Sequence, residues 1–133
     1  MADMISWADR LYSEGVDNKD AAMFADAFTS EGWLRFGNNP PLIGRDAIRE
    51  AIAGFFSMFA SLEHESAGTT FSDGTLVVEA TVTYTLFDGG IVSVPACTIF
   101  RFADTSGDRP LAHKCQIYVD LAPLFSAVQN AGT

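Results

Sequence analysis

The run from Thr75 to Phe87 alternates in a strict two-residue rhythm. Leu76, Val78, Ala80, Val82, Tyr84 and Leu86 fall on one side, and Thr75, Val77, Glu79, Thr81, Thr83 and Thr85 on the other. Successive side chains of a β-strand point to opposite faces, so this pattern predicts a strand with one face on a core and the other toward water or a partner subunit. Asp88-Gly89-Gly90 is a tight-turn signal, and Ile91–Phe102 and Leu111–Leu121 read as two further strands. His64–Phe71, ending at Ser72-Asp73-Gly74, is a weaker strand ahead of them. The result is an antiparallel meander with an apolar face that needs a cover.

The first part of the chain predicts helices to supply it. Ile5, Ala8, Leu11 and Tyr12 recur at helical spacing within a helix from Met4 to about Val16. Asp17, Asn18 and Asp20 form a capping cluster before a second helix, about Asp20–Phe28, which the Thr29–Gly32 stretch breaks. Trp33–Phe36 is a short strand with Trp33 and Arg35 on one face and Leu34 and Phe36 on the other. Pro40 and Pro41 lack backbone donors and hold an extended hinge, after which Gly44 and Asp46 open a third helix to about Leu62. That helix is apolar over more than a narrow stripe, which predicts packing on more than one side. Pro123–Val128 reads as a short final helix before a polar tail. Helices followed by a meander is an α+β plan, with the helices on one face of a curved, mainly antiparallel sheet. With no linker, repeat or low-complexity segment, residues 1–133 read as one domain.

Composition narrows the function classes. Apolar residues make up 48% of the chain, with 11 phenylalanines, a load that fits a packed core. The net charge of −9 would be repelled by nucleic acid and by anionic membranes, so neither is an expected partner. No apolar run is long enough to span a bilayer, and the start Met1-Ala2-Asp3-Met4 lacks signal-peptide character, which predicts a soluble, cytoplasmic protein. Cys97 and Cys115 read as free thiols, with a disulfide as the alternative if the last two long strands form a hairpin centred near Ser106. No metal-spaced histidine cluster, glycine-rich phosphate loop or Ser/His/Asp order is present, so no metal and no cofactor are expected.

The order of elements, Asp17-Asn18-Lys19-Asp20, Asn39-Pro40-Pro41-Leu42-Ile43-Gly44-Arg45 and Tyr118-Val119-Asp120 resemble the nuclear transport factor 2-like superfamily. Within it the chain resembles the SnoaL-like polyketide cyclase and ketosteroid isomerase branch. The resemblance implies a cystatin-like, cone-shaped barrel in which three N-terminal helices and the sheet enclose an apolar cavity, usually in a homodimer. It also implies site positions. Tyr12, placed before Asp20 as the isomerases place a catalytic tyrosine, corresponds to their oxyanion donor. Their general base falls at Arg35, and their second acid at Thr98. An arginine stays protonated at neutral pH and cannot take a proton from carbon, so standard ketosteroid isomerisation is not expected. SnoaL-like cyclases use an aspartate near the end of the last strand, the place of Asp120.

Each candidate carries a bland reading beside the chemical one. Arg35 is either a clamp for an anionic substrate group, or a structural partner of Asp120, Glu79 or another carboxylate, or simply outward-facing. Tyr12 is an oxyanion donor or a core residue with its hydroxyl at the rim. His113 is an acid/base group or structural, and alternation groups it with Cys115, Ile117 and Val119 on the apolar face. Asp120 then shares the opposite face with Tyr118, unless a bulge turns it inward. His64 is read as exposed. Trp33, Phe55, Phe59, Tyr84, Thr98 and Phe100 are the expected pocket lining, and would serve equally as a filled core. The leading expectation is a cofactor-independent cyclase, isomerase or dehydratase acting on a small apolar, polyketide- or steroid-like molecule with a carbonyl or anionic group. Its rival is a non-catalytic hydrophobic-ligand-binding or dimerisation module. The Thr-rich face of the 75–87 strand points to a homodimer in either case.

Overall fold

A computed structural model of the chain describes residues 3–131. Met1 and Ala2, part of the start read as lacking signal character, and Gly132 and Thr133 of the polar tail lie outside the described residues. Helix α1 (Met4–Arg10) begins at Asp3, whose carboxylate accepts from the Ile5 and Ser6 N–H groups at 3.1 and 3.2 Å and from the Ser6 hydroxyl at 2.9 Å. These bonds satisfy donors that a first helical turn leaves open. The sequence predicts one regular helix to Val16. Instead the chain widens into a π-helical turn at Leu11–Gly15, then tightens into a 3-10 turn at Val16–Asn18. The buried face accordingly runs through Met4, Ala8, Leu11 and Val16, and Ile5 is 39% exposed.

Asp20 caps α2 (Ala21–Asp26), accepting from the Met23 N–H at 3.0 Å. This helix stops short of Phe28, because Phe28 is fully buried as the first residue of β1 (Phe28–Phe36). The Thr29–Gly32 stretch therefore extends a strand rather than only breaking a helix. The Pro40-Pro41 hinge leads into β2 (Leu42–Ile43), which pairs with β1 at Trp33 and Leu34. Helix α3 (Arg45–Phe56) follows Gly44, and the Arg45 Nε donates to Phe28 O at 2.7 Å, tying the helix start to β1. α3 ends at Ser57, whose hydroxyl donates to Gly54 O at 2.6 Å, well before the end predicted at about Leu62. Its buried side chains, Ile48, Ile52 and Phe56, make a single stripe. The apparent all-round hydrophobicity came from Phe59 and Leu62, which are buried in the following turn and the next strand.

Strands β3 (Ser61–Ser72), β4 (Thr75–Thr85), β5 (Ile91–Phe102) and β6 (Ala112–Val119) complete a six-stranded sheet of order β2-β1-β6-β5-β4-β3, and α4 (Ala122–Ala131) closes the described chain. Among the described residues only the β1–β6 pair is parallel. The β3–β4 turn places Asp73 and Gly74 both at positive φ, 54° and 77°, as a two-residue hairpin turn requires. The alternation of β4 holds as predicted: Leu76, Val78, Ala80, Val82 and Tyr84 are all buried. Helices α1–α3 cover that face, giving the expected α+β arrangement. No helix among the described residues is long and apolar enough to cross a membrane.

The β5–β6 register overturns the inward placement of His113 and rules out the alternative of a disulfide. Phe102 pairs with Ala112, but Arg101 pairs with Lys114, so His113 is an extra residue in the ladder. A bulge of this kind reverses the side-chain phase, and His113 is exposed while Ala112 and Cys115 are fully buried. Cys97 pairs with Tyr118 and Cys115 with Phe100, so the two cysteines do not face each other and both are free thiols.

Gly32 provides a stability test. A Cβ there would meet Phe28 Cβ at 2.8 Å and Thr29 O at 3.1 Å. Gly32→Ala is expected to destabilise the fold by about 1–3 kcal/mol, the usual range for overpacking, measured by urea unfolding.

Candidate functional site

The helical layer and the sheet meet at one polar cluster. Asp17, in the 3-10 turn, accepts from the His64 backbone N–H at 3.2 Å through one oxygen and contacts His64 Nδ1 at 2.7 Å through the other. Both side chains are largely buried, 14% exposed for His64 and 19% for Asp17. A carboxylate at Nδ1 fixes the proton there and leaves Nε2 as the free nitrogen of the neutral ring. Nε2 has no hydrogen-bond partner among the described residues, and no buried side-chain N or O among them lacks a partner, so Nε2 reaches open space.

Tyr12 stands in the π-turn with its ring centroid 4.7 Å from that of His64. A widened turn shifts the phase of the residues it carries. Burial pushes the Tyr12 phenol well above its ordinary value near 10, with the Cys115 thiol adding to the shift and a hydrogen bond with Thr98 opposing it. The phenol therefore stays protonated, and a protonated phenol is a hydrogen-bond donor. Thr98, 5% exposed on β5, faces inward beside it. Burial also raises the Tyr84 phenol.

Tyr12, His64, Thr98 and Tyr84 border a space of about 50 Å³ whose other walls include Phe36, Ile52, Phe55, Ile117 and Val119. Of the expected lining, Phe55, Tyr84 and Thr98 stand on this space. Phe59 and Phe100 do not: Phe59 is fully buried between Phe55 and Tyr84, at ring distances of 5.2 and 4.9 Å, and Phe100 is buried edge-on to Trp7 at 5.2 Å. Trp33 lies on the outer face of the sheet, with the Lys114 ammonium 4.6 Å above its ring.

The remaining charged candidates are also outside. Leu34 and Phe36 pair beside Cys115 and Ile117 on the inner face, which sends Arg35 outward next to Gln116. The Arg35 Nε donates to Gly37 O at 3.2 Å, and Arg35 forms no ion pair among the described residues. Asp120 lies beyond the end of β6, exposed, and its carboxylate accepts from the Ala122 N–H at 3.0 Å at the start of α4. The structure thus brings together Tyr12 and Thr98, and separates them from Arg35, His113 and Asp120.

Asp17 and His64 are the residues that sequence reasoning missed. The signal was present. Leu62 is buried on β3, and His64 shares its face two residues later. Starting that strand at His64 hid the phase. Within the acidic cluster, only Asp20 is used as a cap for α2, which leaves Asp17 available. Among the described residues, no group of three or more His, Cys, Asp or Glu side chains could hold a metal ion.

The profile of the SnoaL-like domain family matches residues 8–106 of the chain. A search of curated proteins returned no match. Solved structures share the fold at low identity. A candidate SnoaL-like polyketide cyclase from Jannaschia is 22% identical, with a TM-score of 0.77 over 93% of this chain and 90% of that one. ActVI-ORFA from Streptomyces coelicolor is 19% identical, with a TM-score of 0.74 over 88% of this chain and 94% of that one. A protein of ketosteroid isomerase-like fold from Catenulispora acidiphila, in complex with trimethylamine, is 16% identical, with a TM-score of 0.71 over 95% of this chain and 91% of that one.

The buried acids make stability pH-dependent in a defined direction. Burial also holds the Cys115 thiol well above its ordinary value near 9. Each of these groups has a raised folded-state pKa, so its contribution is complete below the unfolded value and is lost as pH rises toward the folded one. The melting temperature is expected to fall from about pH 9, through Cys115, and more steeply above about pH 10, through Tyr12 and Tyr84. Tyr84→Phe should flatten the steeper limb, measured by thermal melts from pH 7 to 11.

Proposed function

The chain belongs to the SnoaL-like domain family, and on that footing we propose that it is a cofactor-independent enzyme moving a proton on a small apolar carbonyl compound. The observation that carries this reading is the Asp17–His64 contact at 2.7 Å beside Tyr12, with His64 Nε2 free. In this mechanism the Tyr12 hydroxyl donates to the substrate carbonyl and stabilises the oxyanion as the enolate develops. His64 Nε2 removes the proton α to that carbonyl, while Asp17 orients the ring and stabilises the imidazolium. Returning the proton at another carbon gives isomerisation. Delivering it to a leaving hydroxyl gives dehydration, and attack of the enolate on a second carbonyl closes a ring, with the imidazolium returning its proton to the new alkoxide. Arg35 has no part in this scheme, so a carbonyl is favoured over an anionic group. Polyketide- and steroid-like molecules, which have both carbonyls and apolar bodies, are the proposed substrate class.

A narrower reading is supported by the interior itself. A space of about 50 Å³ fits a nearly filled core, which favours the non-catalytic reading in its dimerisation form. One experiment separates the two. Phenylacetone in deuterated buffer is expected to exchange its α-protons faster with the protein present. His64→Gln should cut that acceleration by about 10²-fold or more, and Tyr12→Phe by a similar factor. An exchange rate equal to that of buffer would leave only the non-catalytic module.

The homodimer is proposed on the outer sheet face. There Thr81, Thr83, Cys97, Ile99 and the 57%-exposed Tyr118 lie around Glu79, with Glu63 and Glu65 opposite Thr83 and Thr81 on the edge strand. Light scattering at micromolar concentration is expected to give twice the 14.3 kDa chain mass, and a monomer would refute the interface.

A further inference from the structure

The apolar space bordered by Tyr12 and His64 is too small for the ligand that the proposed chemistry needs. Roughly 150 Å³ holds one benzene ring, and this space is about 50 Å³. The second space that they border, about 260 Å³ with Asp9, Asp17, Ser66 and Thr69 on its walls, does not suit an apolar body. On the far side of the first lies an apolar groove of about 410 Å³, between the Pro40-Pro41 hinge, α3 and α4. Three side chains border both the first space and the groove: Phe36, Ile52 and Phe55. Ile52 is buried in the central stripe of α3, whereas Phe36 and Phe55 are partly exposed. Phe55 is on the last turn of α3, two residues before the helix ends at Ser57. Its ring contacts are Phe36 at 4.9 Å, Phe59 at 5.2 Å, Tyr84 at 6.0 Å and Phe56 at 6.3 Å. A partly exposed side chain moves between staggered rotamers, so a change at Phe55 χ1 exchanges one set of ring contacts for another.

We propose that Phe55 is the gate and size selector of the site. The apolar body of the ligand lies in the groove between Pro41, Ala51 and Phe125, and its carbonyl end passes Phe55 to reach Tyr12 and His64. This inference rests on the proposed placement of the carbonyl and adds the route and the residue that limits what enters. With the Phe55 ring swung aside, the two spaces join into one slot, with Tyr12, His64 and Thr98 at its inner end.

The test uses two ketones of the same head group, phenylacetone and 2-naphthylacetone, titrated by NMR with the His64 ring signals as the reporter of position. Phe55→Ala is expected to tighten both at least tenfold, and the naphthyl ketone more than the phenyl one. Ala51 is exposed on α3 and borders the groove, so Ala51→Trp fills the groove without touching the core. It should weaken both ketones at least tenfold, alone and combined with Phe55→Ala. If Phe55→Ala fails to fold, Phe55→Leu carries the same comparison with a smaller gain. Binding that shifts His64 yet ignores both Phe55 and Ala51 substitutions overturns the gate and leaves the chemical reading standing. Tightening by Phe55→Ala that Ala51→Trp does not reverse marks a passive hole and also overturns it. Failure of either ketone to shift His64 in any variant overturns both proposals.

Discussion

Asp17 spans the gap between the helical layer and the edge of the sheet with a single carboxylate, one oxygen on the His64 backbone and one on its ring. β3 has a neighbour on one side only, and an edge strand presents unpaired N–H groups that invite foreign strands. Asp17 occupies one of those groups from within the chain. Two residues on, the Lys19 ammonium donates to Phe59 O at 2.8 Å and Ala60 O at 3.3 Å. One short 3-10 turn thereby holds both the α3–β3 connection and the start of β3. Charge-assisted hydrogen bonds of this kind contribute about 1.5–3 kcal/mol each when largely buried, enough to fix how the two layers dock. Tyr12 takes its place beside His64 because this docking is fixed.

Beyond Thr98, the buried inward-facing positions of the sheet are apolar, and the polar Ser66 and Thr69 lie at the same edge strand as His64. That asymmetry decides the available chemistry. Polar groups converge on one wall, and the opposite walls exclude water and offer no second charge. An anion would find no cation inside, whereas a carbonyl oxygen would find a neutral phenol that stays protonated well past neutrality. Hydrogen bonds formed in such surroundings are stronger than in water, which gives a single donor and a single base more leverage than they would have at the surface.

The legible parts of this structure were those governed by short-range periodicity. The β4 alternation fixed its buried face residue by residue, and the turn residues at 73–74 and 88–90 fixed both hairpin ends. Registers set by events outside the periodic runs were hidden. The bulge at His113 has no residue signature, yet it reverses the phase of β6 and turns a candidate acid/base group to solvent. Arg35 was ambiguous because Trp33/Arg35 and Leu34/Phe36 are both plausible inner pairs; contact with Cys115 and Ile117 across a parallel strand decides it, and parallel pairing is a long-range fact. Asp17 was hidden by a better-known use of its residue type. Aspartates near helix starts are capping residues by default, and here one of the cluster caps while another crosses to the sheet.

The π-turn at Leu11–Gly15 amounts to one residue more than an α-helix would use over the same span. Each residue in a regular helix turns the chain by roughly 100°. Removing one residue from this turn would leave every upstream side chain in place and rotate the downstream residues by about that angle. Substitution at Tyr12 changes the chemistry of the group presented to His64, whereas a deletion later in the turn leaves the phenol in place and turns Asp17 away from the ring it holds. The pairing of the phenol with that carboxylate is thus written in the spacing of the first helix as much as in the identity of its residues.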